Sequence, residues 1–243
     1  MLDMADIGPG MKVLDVAAGT GDQTADIAGR VGPGGLVLAT DVSPRMLAAA
    51  AANLSAAGLG NARTLLTAGE TLALDVANFD AAVCRLGLMF FGDPLAGLQA
   101  IRRTLRPGGR FCAMVFSEPS ANPCIGITVS IARRHAGLLP DDPYLPGALL
   151  SLGKPGLIDE LFRLAGFVDL ELRSVSAPLK LVSVEEYLRF VRTAAGPVMT
   201  ILDRMSPDTS RAARAEMAAA LSAYATADGW EAPTELLLVA GAR

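Results

Sequence analysis

The residues best suited to do chemistry lie in Val13-Leu14-Asp15-Val16-Ala17-Ala18-Gly19-Thr20-Gly21-Asp22. The run Val13, Leu14, Val16 suits a strand buried on both faces. It ends in two glycines around Thr20 and passes directly into a helix-compatible segment, Gln23 to Arg30. A strand that turns sharply into a helix aims unpaired backbone N–H groups, and the positive end of the helix dipole, at whatever lies above the turn. Gly19 and Gly21 carry no Cβ, so a ligand can rest against the backbone and φ can be positive. These features predict a site for a nucleotide-type cofactor. Twenty positions after Gly21, Asp41 ends a second apolar run, where a carboxylate can accept both hydroxyls of a ribose. Its alternative task is to cap the following helix, for which Ser43 is better suited.

Alternating strands and helices must position these groups, which favours a mostly parallel sheet with helices on both faces. Strands are expected at Leu36 to Asp41, Ala62 to Thr67, Phe79 to Cys84 and Arg110 to Phe116. Ser43-Pro44 and Asp93-Pro94 each read as an N-cap with proline at the first helical position; Gly58 is placed to end the first of these helices. Arg106-Pro107-Gly108-Gly109 breaks the second helix before the fifth strand.

Beyond Phe116 the pattern changes. Residues 117–153 are rich in proline and glycine, with one helical stretch around Ile125 to Arg134. Pro155 to Ala165 is amphipathic, Gly166 ends it, and Phe167 to Val175 reads as a strand. Ser183-Val184-Glu185-Glu186 has the form of a capping box, and Ser206-Pro207 starts an alanine-rich helix expected to reach about Ala227. Residues 183–229 thus read as a helical insertion before a last strand, Glu235 to Ala240.

Composition excludes several classes. The 243 residues carry a formal charge of −4, which leaves no footprint for a nucleic-acid partner. Apolar residues make up 51% and mean hydropathy is +0.40, yet no run approaches the ~18 apolar residues of an integral membrane segment. Three cysteines without metal-like spacing argue against a disulfide framework and a zinc site. The N-terminus lacks the basic and apolar regions of a signal peptide. The expectation is a cytoplasmic protein with a small-molecule partner, a homodimer being among the assemblies the sequence allows.

In order and spacing, Val13–Asp22, Leu38–Pro44, Phe79–Pro94 and Leu105–Phe116 resemble the class I S-adenosylmethionine-dependent methyltransferases. Within that class they are similar to the group that includes ubiquinone/menaquinone C-methyltransferases and many natural-product enzymes. Ala165-Gly166-Phe167 is a habit of the same group. The resemblance implies one Rossmann-like α/β domain over residues 1–243, with a seven-stranded, mostly parallel sheet whose last strand runs antiparallel. It divides the domain into a cofactor-binding core at 11–116 and acceptor-side cap segments at 117–153 and 183–229. It implies S-adenosyl-L-methionine as cofactor, methyl transfer to a small, partly hydrophobic organic acceptor, and no metal.

Residue by residue, the resemblance sets Gly19, Thr20 and Gly21 against the cofactor, with Asp15 holding the turn and Ala17 where the wider family has glycine. Asp41 takes the ribose, and Val42 and Met46 pack near the adenine. Ala68, Gly69 and Glu70 stand where the family reads the adenine ring; Ala68 departs from the usual aspartate, so a Gly69 N–H and Glu70 must compensate. Arg85 and Leu86 fall beside the methionine end of the cofactor, although Arg85 has the alternative of pairing with a surface carboxylate. Met89, Phe90 and Phe91 either line the acceptor pocket or bury the connection. His135, the one histidine, is a catalytic candidate as a base, against the alternative of an exposed helix end. Methyl transfer needs little acid–base help, because the sulfonium is already activated and in-line positioning can dominate the rate.

The family usually carries helices before the first strand. Only Met1 to Gly10 precede it here, so either that lid is lost or trimmed, or the helices between Ser183 and Gly229 do its work. Two other functions fit parts of the pattern. One is a non-enzymatic cofactor-binding protein; the other is an NAD-dependent oxidoreductase, whose third glycine would fall at Thr24.

Overall fold

A computed structural model describes residues 1–194 and 196–243. The first half alternates as expected: β1 (Lys12–Val16), α1 (Asp22–Val31), β2 (Leu36–Asp41), α2 (Pro44–Ala56), β3 (Ala62–Leu66), β4 (Phe79–Arg85), α3 (Pro94–Thr104) and β5 (Leu105–Phe116). The second half contains α4 (Pro123–His135), α5 (Leu157–Leu164), β6 (Val168–Ser176), β7 (Leu179–Leu181), α6 (Val184–Ala194) and α7 (Gly196–Asp203). It closes with α8 (Pro207–Leu221), β8 (Ala225–Thr226), β9 (Gly229–Ala232) and β10 (Glu235–Ala242).

Local chemistry sets most of these boundaries. Ser43 Oγ accepts from the Met46 amide, Asp93 Oδ1 from Ala96 and Ser206 Oγ from Thr209, each cap followed by a first-turn proline. Gly58, at φ +70°, ends α2 as expected: the Leu59 amide reaches back to the Leu54 carbonyl and closes the Schellman motif. At Ser183 the box is skewed. Ser183 Oγ accepts from the Glu186 amide, while the Glu186 carboxylate accepts from Val182.

The main sheet has seven strands in the order β3-β2-β1-β4-β5-β10-β6. β1 pairs in parallel with β2 and β4, and β10 is antiparallel to both β5 and β6. The strand order reverses between β1 and β4, which opens a crevice beyond their carboxyl ends. One face carries a core that includes stacked Phe111 and Phe162, with ring centroids 5.4 Å apart, and Phe167. The other face buries Val13, Ile27 and Val37 together with Met4 and Ile7 of the N-terminal segment.

A third core lies off the sheet. Trp230 stacks on Tyr187 and donates its indole N–H to the Leu221 carbonyl at 2.8 Å, amid Leu202 and Met217. It is roofed by a small sheet of order β7-β9-β8, which the sequence reading did not contain. The alanine-rich helix also stops at Leu221, short of Ala227, because a 3₁₀ turn at Ser222–Tyr224 leads into this sheet. The expected helical insertion is thus helices bound to a three-stranded sheet.

Candidate functional site

At the carboxyl ends of β1, β2 and β4 lies a cleft of about 780 Å³. Its floor is Asp15, fully buried at the end of β1. Thr24 Oγ1 donates to one carboxylate oxygen at 2.6 Å and Gln23 Nε2 to the other at 3.1 Å. Burial pushes the Asp15 carboxyl up to about 6, against the pull of these two hydrogen bonds and of the Arg85 charge. Thr24 therefore serves Asp15 at the position where a dinucleotide fold needs its third glycine.

Asp41 joins two loops. Its Oδ2 accepts from the Gly19 amide at 3.0 Å and its Oδ1 from the Ser43 amide at 2.8 Å, so the carboxylate fixes the glycine turn and the start of α2. Each oxygen keeps a further lone pair for a hydroxyl donor. Asp41 does not cap α2; Ser43 does.

The turns after β1 and β4 meet tightly. Ala17 and Leu86 hold φ of 55° and 54°, a region that costs a non-glycine residue roughly 1–2 kcal/mol. A Cβ on Gly87 would lie 2.4 Å from the Ala17 Cβ and 3.0 Å from Cys84 Sγ, so glycine is required there. Cys84 is inert: burial, then the neighbouring Asp15 charge, push its thiol up to about 12.

Of the residues expected at the cofactor, Asp15, Ala17, Gly19, Thr20, Asp41 and Val42 line this one cleft. Met46, Ala68, Gly69, Glu70, Arg85 and Leu86 do as well. Gly21 does not. At φ +84° it opens α1, and a Cβ there would come within 3.0 Å of Ala50 Cβ, so its smallness serves the packing of α1 on α2. Gly69 has a second reason to be glycine, since a Cβ would strike the Phe91 ring at 2.0 Å. Glu70 Oε1 accepts from the Gly92 amide at 2.8 Å and holds that loop down. Arg85 lines the cleft and makes no ion pair among the described residues, so the surface-carboxylate alternative is not realised.

Gln23, Ser43, Thr67 and Gly87 also line the cleft and were missed. Gln23 and Ser43 follow the two motif turns, so helix-start position was the available signal; Thr67 is the residue before Ala68.

His135 is not brought here. It ends α4, where Nε2 lies 2.8 Å from Glu216 Oε2 on α8, beside an Arg134–Glu216 ion pair. Hydrogen bonds from Arg134 and then His135 hold the Glu216 carboxyl below its usual range. The histidine is spent on packing two cap helices, and its candidacy as a base ends.

A second cavity of about 320 Å³ adjoins the cleft and shares Leu86 and Phe90 with it. Met89 is fully buried in the sheet core and Phe91 turns toward Gly69 and Gly97, so of these three residues Phe90 alone lines both spaces. The outer wall comes from α6 through Tyr187, Phe190 and Val191. At its base, Asn122 ties the segment after β5 to the start of β10. Its Nδ2 donates to Ser117 Oγ and to the Glu118 and Glu235 carbonyls, and its Oδ1 accepts from the Glu235 amide at 3.1 Å.

The sequence model of the ubiE/COQ5 methyltransferase family matches residues 2–129, more than half of the chain. The chain belongs to this family. A ubiquinone/menaquinone biosynthesis C-methyltransferase UbiE of Idiomarina loihiensis is 38% identical over 49% of the chain, an alignment that spans 47% of that relative. The chain therefore spans about half the length of such relatives. A nocamycin O-methyltransferase of Saccharothrix syringae is 29% identical over 93% of the chain and 82% of its own length, and so extends through the cap. Among solved structures, a putative methyltransferase of Bacillus halodurans superposes with a TM-score of 0.67 at 17% identity, over 99% of this chain and 96% of its own. That likeness shows the fold.

Proposed function

We propose that this protein transfers a methyl group from S-adenosylmethionine to a small, partly hydrophobic organic acceptor, leaving S-adenosylhomocysteine. The observation that carries this reading is a shared wall: Leu86 and Phe90 separate the cleft after β1, β2 and β4 from the apolar cavity under α6.

The residues present fit the cofactor. Gly19 lines the cleft at φ +57°, and a Cβ there would meet no protein atom, so the space beside the turn is free. The Asp41 carboxylate suits two ribose hydroxyls, and exposed Val42 and Met46 offer an apolar surface to a purine. Thr67 and Ala68 stand where an adenine edge would be read; the Thr67 hydroxyl supplies a polar group that Ala68 lacks. Arg85 offers its charge to a carboxylate, and Asp15 and the turn at Ala17–Gly19 provide acceptors for an amino group. When bound, S-adenosylmethionine supplies a methyl carried on a positively charged sulfur.

The chain's own work is then positioning. Asp41 holds the glycine turn and the α2 turn in one geometry before any ligand arrives. Phe90 and Leu86 present the acceptor's reacting atom to the cleft while apolar walls exclude water. The cap segments 117–153 and 183–229 form the acceptor side in this reading. A cytoplasmic location goes with it, supported by three buried, unpaired cysteines; among the described residues no helix is long and apolar enough to cross a membrane.

Calorimetry with S-adenosylmethionine, S-adenosylhomocysteine and NAD, followed by an acceptor screen for S-adenosylhomocysteine release, tests the proposal. Binding of both sulfur compounds but not NAD is expected. Binding of NAD alone overturns it, and tight binding with no turnover of any acceptor leaves a binding protein.

A further inference from the structure

The acceptor cavity does not end at α4. A third space of about 530 Å³ lies beyond it, between α4 and residues 138–150, and shares Ile125 and Leu149 with the acceptor cavity. Those two side chains stand between the spaces as Leu86 and Phe90 stand between cavity and cleft. Three chambers therefore follow one another, from the Asp41 end of the cleft to the surface near Leu138.

The outer chamber has little polar capacity left. Arg133 is engaged twice, its Nη1 with Asp141 at 2.8 Å and its Nε with the Leu139 carbonyl at 2.9 Å. Arg134 is committed to Glu216, the Ser130 hydroxyl to the Ile127 carbonyl, and Asp142 Oδ1 to the Tyr144 amide. What remains for an occupant is apolar: Val129, Leu138, Pro143, Ala148 and Leu150, with Ile125 and Leu149 at the partition. Leu138 and Leu145 are nearly half exposed beside it, and Leu139 more so. The inner cavity alone sits at the low end of the ~300–1,000 Å³ typical of small-molecule sites. The outer chamber adds more room than the inner one provides.

We infer that the chamber behind Ile125 and Leu149 receives an unbranched or branched apolar extension of the methyl acceptor, so that this partition and Gly126 set the length of acceptor the protein takes. This rests on the acceptor assignment above. Acceptors that carry a reactive head and a hydrocarbon tail are selected, since the head meets Phe90 while the tail loses its water against α4. The Arg133–Asp141 pair forms a polar side of the chamber, against which an apolar tail gains nothing.

Gly126 supplies the test. It lines the outer chamber and neither of the other two, and a Cβ there would meet nothing within 4 Å. Gly126→Phe should fill the chamber without touching the cleft, and Gly126→Ala is the control for the helix. The probes are 4-ethylphenol and 4-octylphenol, titrated by calorimetry into protein saturated with S-adenosylhomocysteine. The expected result for the unaltered chain and Gly126→Ala is octylphenol at least about tenfold tighter than ethylphenol, a small part of what six buried methylenes can contribute. In Gly126→Phe that ratio should fall below about twofold while ethylphenol and S-adenosylhomocysteine affinities stay unchanged. An undiminished ratio in Gly126→Phe overturns the inference. So does the lack of any preference, or of any octylphenol binding, in the unaltered chain. Failure of S-adenosylhomocysteine itself to bind would instead defeat the methyltransferase reading, and is visible before either phenol is added.

Discussion

The two halves of the molecule solve the problem of holding a ligand differently. In the first, ligand-facing groups sit at strand ends and are locked by hydrogen bonds and close packing: Asp41 on two amides, Asp15 on two helix side chains, Gly87 wedged against Ala17. In the second, the walls are exchangeable apolar side chains on α4 and α6, backed by a core of their own around Trp230. A cofactor common to many reactions can be met by fixed polar geometry, whereas an acceptor that differs between reactions is met by shape. The family model likewise matches residues 2–129 and stops within α4.

Separate cores should make the halves separable. Trp230→Ala should cost the cap about 3–5 kcal/mol, seen as early protease cleavage within residues 184–232, and leave S-adenosylhomocysteine affinity intact. If affinity falls in step with cap stability, the halves share one cooperative unit and the contrast is broken.

Asp15 sharpens the cofactor side through pH. Its carboxyl stands at about 6 in the fold against an ordinary 3.8, so between about pH 4 and pH 6 the native state holds a proton that the unfolded chain has released. The stability this gives is complete below about pH 4 and lost as pH rises through about 6. By linkage it amounts to up to about 3 kcal/mol. Urea midpoints across pH 4–7 should fall for the parent protein relative to Asp15→Asn; parallel curves would refute the assignment.

Asp41→Ala removes a carboxylate that two amides and the proposed ribose share. A loss of about a hundredfold in S-adenosylhomocysteine affinity, near 2.7 kcal/mol, is expected by calorimetry. An unchanged affinity would sink the ribose role. The smallest effect belongs to His135→Ala. Its solvent-screened pair with Glu216 should leave thermal stability nearly unchanged and contribute nothing to turnover, read as acceptor-dependent S-adenosylhomocysteine release.

The cofactor half was legible because its signals are local. A glycine turn and cap-plus-proline pairs each act within a few residues of themselves, and an acidic strand end is marked by the apolar run before it. Gly21 and Gly69 show the limit. Their lack of a side chain answers to Ala50 and Phe91, contacts that no neighbouring residue announces. The three-stranded sheet was invisible for a related reason: strands of two to four residues are too short to carry an alternating pattern, and their pairing joins Leu179–Leu181 to Gly229–Ala232 across the cap helices. His135 misled because chemistry suggested a base, while only tertiary packing could supply Glu216.

One buried amide has mechanical meaning. Asn122 fastens the root of α4 to the start of β10, 113 residues later, at the base of the cavity under α6. The front and rear walls of that cavity therefore share a pivot. Replacing this one side chain should loosen α4 and β10 together.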